Sequence, residues 1–378
     1  MTAPEQIRDL SLKLLGELGA CPAVSFAEGA VATAILSSLE GLSLSVEHDS
    51  YGNLRAHRPA QPDSEGDPPP IAFIAHMDHP GFEAVEAQGD ILMARALGGV
   101  PQVCFSSAVP VKLVMPDGSR LQGETAGSRG PKDQRMVAIR WKETRDLDFP
   151  RPVVLDLPDF HQDGELVHMR AVDDLAGCAS ILAALHLLDS SEGLGDVYGI
   201  FTRAEEVGLI GARLLAQSGS LPADTLVVSL EASRTLPGAA ISEGPVIRVG
   251  DAALTFDADA EAALLKAREE LSEQRPDFKV QRQLMSGGTC EASAFRYHGY
   301  RTTGIAFPLG NYHNATPEGG VGAEYIHLDD FLGGVELIVQ AARSVDRRRD
   351  SAPWRRMGSM PQGYAERLEK TATTFRQD

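Results

Sequence analysis

Cysteine is scarce: the 378 residues hold four, at positions 21, 104, 178 and 290, far apart and with no Cys-x-x-Cys pair. That spacing excludes a structural zinc finger and a disulfide framework, and leaves reduced thiols as the expectation. Positive charge is also short, with Lys plus Arg 35 against Asp plus Glu 53 and a formal charge of −18. Such a balance disfavours nucleic acid and anionic membrane surfaces as partners. Long hydrophobic runs are missing, so no membrane span is expected. The first twenty residues carry charges among their leucines, which reads as an amphipathic helix and not a signal peptide, and the cytoplasm is the expected compartment. What is present, 43% hydrophobic and 23% charged residues, is an ordinary globular balance. The length admits two domains and a sizeable core.

The stretch from Ile71 to Gly81 reads as a buried strand that turns polar at His76, Asp78 and a Pro-Gly turn. Open α/β sheets bind ligands outside the carboxyl ends of their strands, so His76 and Asp78 stand where chemistry is expected. Alone, they would be a satisfied histidine beside a turn aspartate. Later stretches answer them. A short strand from His168 to Val172 leads to Asp173-Asp174, which opens an apolar helix; one aspartate is a natural N-cap and the other is surplus. The strand Val197 to Thr202 runs out at Glu205-Glu206, the strand Asp224 to Leu230 ends at Glu231, and a loop after the strand Thr303 to Phe307 brings His313. Imidazole with carboxylate is a usual donor set for divalent zinc, cobalt or manganese, and a two-metal site needs a bridging carboxylate.

Between Gly81 and about Asp163 the texture changes to short β-type runs broken by turns. The expected architecture is therefore α/β. A mixed central sheet flanked by helices is built from residues 1–85 and 161–345, and a small all-β lid or dimerisation domain is inserted at 86–160. The run from Arg58 to Pro70 is a surface loop by composition, and the Arg-rich residues 346–378 read as a solvated C-terminal extension.

His76-Met-Asp78, Asp173-Asp174, Glu205-Glu206-Val-Gly, the acid at 231, Gly287-Gly-Thr289 and His313 together resemble the dinuclear zinc aminopeptidases with a β-barrel lid. That family includes glutamyl and deblocking aminopeptidases and lies within the zinc amino- and carboxypeptidase superfamily. The resemblance implies that His76 and Glu231 bind one metal, Glu206 and His313 the other, and that Asp173 bridges them. Glu205 would be the general base toward a hydroxide held between the metals, and Asp78 would orient His76. It further implies a cis peptide between Asp173 and Asp174, short peptides with a free N-terminus as substrates, and a homo-oligomer assembled through the lid. Deacylase and carboxypeptidase relatives carry their insert between the positions of Glu231 and His313, whereas here it lies between His76 and Asp173, which favours the aminopeptidase branch. The alternatives are a hydrolase of N-acyl amino acids or of C-terminal residues, and a silent metal-binding relative. Departures from the family pattern are Leu175 in place of an Arg, His79-Pro80, the displacement of an acid to Glu291, and the loop Gly-Asn-Tyr-His.

Overall fold

The computed structural model describes residues 3–61, 68–142 and 147–372. The middle of the expected Arg58–Pro70 loop, the first two residues and the last six of the C-terminal extension lie outside the described residues.

In chain order the elements are α1 (Ala3–Gly19), α2 (Gly29–Leu39), the hairpin β1 (Ser45–His48) and β2 (Leu54–Arg58), and β3 (Ile71–His76). Then come β4 (Gly81–Gln88), β5 (Ile91–Leu97), β6 (Pro110–Val114), β7 (Arg120–Arg129), β8 (Met136–Trp141) and β9 (Arg151–Leu155). Next are β10 (His161–Asp163), β11 (Leu166–Met169), α3 (Leu175–Leu188), β12 (Val197–Thr202), α4 (Ile210–Ser218) and β13 (Leu226–Arg234). The chain continues through β14 (Val246–Arg248), α5 (Ala258–Gln274), β15 (Gln281–Gln283), α6 (Glu291–Tyr297), β16 (Arg301–Leu309) and β17 (Glu324–His327). It closes with α7 (Leu328–Ser344), α8 (Ala352–Gly358) and α9 (Tyr364–Ala372).

An eight-stranded mixed sheet, ordered β1-β2-β12-β3-β13-β16-β14-β15, forms the body. Its four central strands are parallel and buried along their length, which is why they read in sequence as continuous apolar runs. Alternation still sorts their side chains by face. Ile71, Phe73 and Ala75 join α1, α2, α3, α5 and α7 in the larger core, while Ala72 and Ile74 join α4 and α6 on the other side. Helix α3 lies at the centre of the larger layer and is apolar all round, so nearly every residue of it is buried.

Strands β4 to β9 close into an antiparallel barrel in the order β4-β5-β8-β7-β6-β9, filled by Phe82, Leu92, Val111, Ile139 and Trp141. The mixed sheet with flanking helices and a separate small β-barrel is the expected fold class. One strand departs from expectation. The segment before Asp173 does not belong to the central sheet; β11 lies in a three-stranded sheet with β10 and β17. The Arg-rich stretch after α7 forms a 3₁₀ turn (Val345–Asp350) whose Arg348 and Arg349 pair with Asp259 on α5, and the exposed helices α8 and α9 follow.

Candidate metal centre

Parallel register sets the floor of the site. His76 is level with Thr202 across the β3–β12 pair, and Glu231 lies two residues beyond the Ser229–Ile74 pair on β13. The turn after β12 carries Glu205 and Glu206, and the loop after β16 carries His313 in a left-handed conformation (φ 55°) between left-handed Asn311 and Asn314. Asp173 enters from the small sheet, and its bond to Asp174 is cis. Asp174 caps α3, its side chain accepting from the Gly177 amide at 3.1 Å.

These side chains converge. His76 is 1% exposed. Its Nδ1 faces the Asp78 main-chain oxygen at 2.9 Å, and its Nε2 faces Asp173 Oδ1 at 3.4 Å and Glu205 Oε2 at 3.9 Å. On the far side of Asp173, His313 Nε2 lies 3.8 Å from Oδ2 and 3.5 Å from Glu206 Oε2. Ligand atoms of His76, Asp173 and Glu231 fall within 4.8 Å of one another, as do those of Asp173, Glu206 and His313 and those of His76, Glu205 and Glu206, so Asp173 is shared by the first two groups and the third joins His76 to the glutamate turn.

Asp173 Oδ1, Glu206 Oε1 and Glu231 Oε1 are buried with no hydrogen-bond partner, which in a native interior calls for a ligand. Burial, with the neighbouring acids, pushes Glu206 and Glu231 well above the usual carboxylate range and Glu205 to about 8. Burial pulls the His313 imidazole down to about 4, leaving it neutral as a metal ligand must be. Crowded, unpartnered carboxylates with two imidazoles fit divalent cations.

Asp78 faces His76 and holds more besides. Its carboxylate accepts from Ser25 Oγ at 2.6 Å and from the amides of Glu205 and Glu206 at 2.9 and 3.2 Å, and lies 3.6 Å from His76 Nδ1. It therefore fixes the turn of the two glutamates as well as facing His76, whose Nδ1 also meets the Asp78 carbonyl. Sequence reasoning missed Glu324. Buried on β17, it accepts from the amides of Val172, Asp173 and His313 at 2.8, 3.0 and 2.9 Å. Glu291 is fully buried beneath the site, accepting from Thr202 Oγ1 and Ser229 Oγ at 3.1 and 3.0 Å.

A cavity of about 420 Å³ opens beside the acids, and its lining also includes Arg213, Arg234, Arg248 and the loop Gly287-Gly-Thr289. Arg248 is 2% exposed and its Nε has no partner. The Arg234 guanidinium sits 5.0 Å from the Tyr312 ring centroid. Of the departures flagged in the sequence, the Gly-Asn-Tyr-His loop lines this cavity through Tyr312 and His313, whereas Leu175 and His79 do not. Leu175 is core. His79 is buried, its Nε2 accepting from the Ala23 amide at 3.1 Å while Nδ1 faces the Pro80 carbonyl at 3.0 Å, and burial pulls it down to about 3.

Residues 148–337, half of the chain, match the M42 glutamyl aminopeptidase family, and this span holds Asp173, Glu205, Glu206, Glu231 and His313. An Acetivibrio thermocellus protein provisionally named an aminopeptidase is 24% identical over 351 residues, 89% of this chain and 98% of that protein. The fold is also that of an aminopeptidase from Desulfurococcus kamchatkensis (22% identity, 91% of this chain and 98% of the other, TM-score 0.73). A Pyrococcus horikoshii peptidase described as assembling into a tetrahedron or a large octahedral shell is similar again (23%, 88% and 99%, TM-score 0.72). No helix among the described residues is long and apolar enough to cross a membrane.

Proposed function

The chain belongs to the M42 glutamyl aminopeptidase family and is an aminopeptidase, and from that premise we propose that it removes N-terminal residues from short peptides at a two-metal site. The convergence of His76, Asp173 and Glu231 with Asp173, Glu206 and His313 around unpartnered buried oxygens carries this reading. In it, His76 and Glu231 would hold one ion, Glu206 and His313 the other, with Asp173 shared between them. Zinc, cobalt and manganese all suit these donors. Divalent ions bound there would polarise the scissile carbonyl and supply a water acidic enough to lose its proton near neutral pH. Glu205 lines the cavity beside His76, where its carboxylate would accept a proton from the attacking water and return it to the amine nitrogen as the peptide C–N bond breaks. Asp78 holds the Glu205 and Glu206 amides and so keeps base and ligand in register.

Arg213, Arg234 and Arg248 give the cavity a cationic wall, and a guanidinium matches a carboxylate in geometry as well as charge. The favoured first residue is therefore acidic. Likeness to the Pyrococcus horikoshii shell-forming peptidase supports a homo-oligomer. The test is hydrolysis of glutamyl, leucyl and lysyl amides against N-acetyl amino acids, before and after chelation and on return of zinc, cobalt or manganese. Hydrolysis of the free-amine amides that vanishes with chelation and returns with metal supports the reading. Hydrolysis of the N-acetyl substrates alone, or no metal bound at saturation, overturns it.

A further inference from the structure

The turn that follows β5 reaches out of the barrel and touches the metal centre. Gly98 is left-handed (φ 71°), and a methyl group added there would lie 3.0 Å from both Cβ and Oε2 of Glu206. At Gly99 an added methyl would lie 1.8 Å from His313 Nδ1, 2.5 Å from Cε1 and 2.9 Å from Cγ. The Nδ1 edge of the imidazole is therefore pressed on the Gly99 backbone, and its opposite edge, Nε2, faces Glu206 and Asp173. Tyr312 stacks on the same ring at 3.8 Å between centroids, and Glu324 accepts from the His313 amide. With those two contacts fixed, Gly99 sets how far the ring can swing.

The turn is itself held by the barrel. Arg135 Nη1 donates to the Gly98 carbonyl at 2.8 Å, and the Ala96 amide donates to the Arg135 carbonyl at 3.0 Å. Val100 and Cys104, just beyond the turn, are buried in the barrel core. The chain of contacts runs from barrel core through Arg135 to Gly98-Gly99, and from there to Glu206 and His313. His76 and Glu231 are not among the atoms nearest to either glycine.

We propose that the Gly98-Gly99 turn, braced by Arg135, is a positioning element for one metal site only, so that the barrel sets the geometry of the Glu206–His313 ion and leaves the His76–Glu231 ion to the central sheet. This rests on the two-metal reading above. The physical ground is that a ligand sphere needs its donors fixed by surrounding groups, and a glycine is required where backbone approaches a side chain this closely.

The experiment is cobalt titration of chelator-treated full-length protein, followed by visible absorption and by metal analysis after gel filtration, for wild type, Gly99→Ala, Arg135→Ala and Arg135→Lys. Gly118→Ala is the control, a left-handed barrel turn with open space around its added methyl. The expected result is two equivalents bound by wild type and by Gly118→Ala. In Gly99→Ala one equivalent keeps its affinity, while the other is weakened by at least about tenfold with an altered absorption band, in the range that loss of a supporting contact gives. Arg135→Ala should weaken that same equivalent less, and Arg135→Lys should restore part of it. Failure of wild type to bind two equivalents would sink the two-metal reading itself. If wild type binds two and Gly99→Ala and Arg135→Ala, both folded by circular dichroism, bind two with unchanged affinity and spectrum, the positioning proposal alone is wrong. Equal weakening of both equivalents in Arg135→Ala would also refute it, since that is what a merely structural role produces.

Discussion

Asp159 joins barrel, helix α1 and the approach to the metal centre, and its removal should be felt in all three. Its carboxylate accepts from Arg120 Nη1 on β7 at 2.8 and 2.7 Å and from Arg170 Nη1. Arg120 Nη2 donates to the Ala20 carbonyl at 2.6 Å and Arg170 Nη2 to Gly19 at 3.0 Å, at the end of α1. Arg170 is among the largest fully enclosed side chains, 2% exposed, with Nε unpartnered. Asp159→Asn keeps shape and removes charge, leaving two guanidinium groups face to face with no counter-ion. Breaking a buried pair from one side costs about 3 to 5 kcal/mol. The Asp159 side chain is one-third exposed, so water screens part of that and the expected cost falls to about 2 to 3 kcal/mol. The Arg170 carbonyl accepts from Asn314 Nδ2 at 2.9 Å, next to His313, so metal affinity should fall along with stability. Urea unfolding of chelator-treated protein measures the first effect and cobalt titration the second. Opposed by burial but carried by Arg120 and Arg170, the Asp159 carboxyl is held below its ordinary value. Its contribution is therefore present above about pH 4 and lost as pH falls below that. A variant within about 0.5 kcal/mol of wild type at pH 7 would refute the reasoning, because surface substitutions alone reach that size.

Glu205→Gln should lower kcat by roughly 10² to 10⁴-fold with metal content unchanged, whereas Glu206→Gln should lose metal; full activity in the first would remove Glu205 as base. Arg248→Gln should cut kcat/KM for glutamyl amides by about 10 to 100-fold, the worth of a charge-assisted hydrogen bond, and leave leucyl amides near wild type. Equal losses on both substrates would mean that Arg248 supports the site and does not read the side chain. Glu324→Ala strands the amides of Val172, Asp173 and His313, each buried unpaired group costing about 1 to 3 kcal/mol; unchanged urea stability would show that water replaces the carboxylate. His79 is held neutral by burial, its folded value pulled to about 3 from an unfolded value near 6.5. Its contribution is full above pH 6.5 and falls by about 1.4 kcal/mol per pH unit below it. His79→Gln should thus narrow its gap to wild type by about 2 kcal/mol between pH 7 and 5, and a constant gap would contradict the burial argument.

The parallel strands were readable because burial on both faces demands unbroken apolar runs, and the polar residue that ends each run marks the edge where chemistry sits. His76, Glu205, Glu206 and Glu231 stood out for that reason. Asp173 stood out as well, as the surplus half of an aspartate pair, but the strand before it carries no mark of the small sheet it joins. Leu166–Met169 is four residues long and its partner on the far side is Glu324–His327, so nothing local could assign it. The docking of the tail was hidden for a related reason. Arg348 and Arg349 hold Asp259 by charge, and ion pairs carry no periodicity in the chain.

What escaped sequence reading at the site shares one property: the partner is backbone or is distant in the chain. Metal chemistry restricts a ligand to a few residue types, so ligands announce themselves by type. Groups that hold ligands in place are chosen by where they stand. Glu324 serves three amides that a strand pairing gathers, and Gly99 serves by having no side chain at all. The cavity arginines are another case. They come from α4, β13 and β14, three elements with no shared motif, and only the fold brings them into the lining of the cavity that also holds the acids. A change of substrate preference can therefore pass through Arg213, Arg234 or Arg248 without touching any metal ligand, which is the separation that catalysis and specificity need if one fold is to serve different peptides.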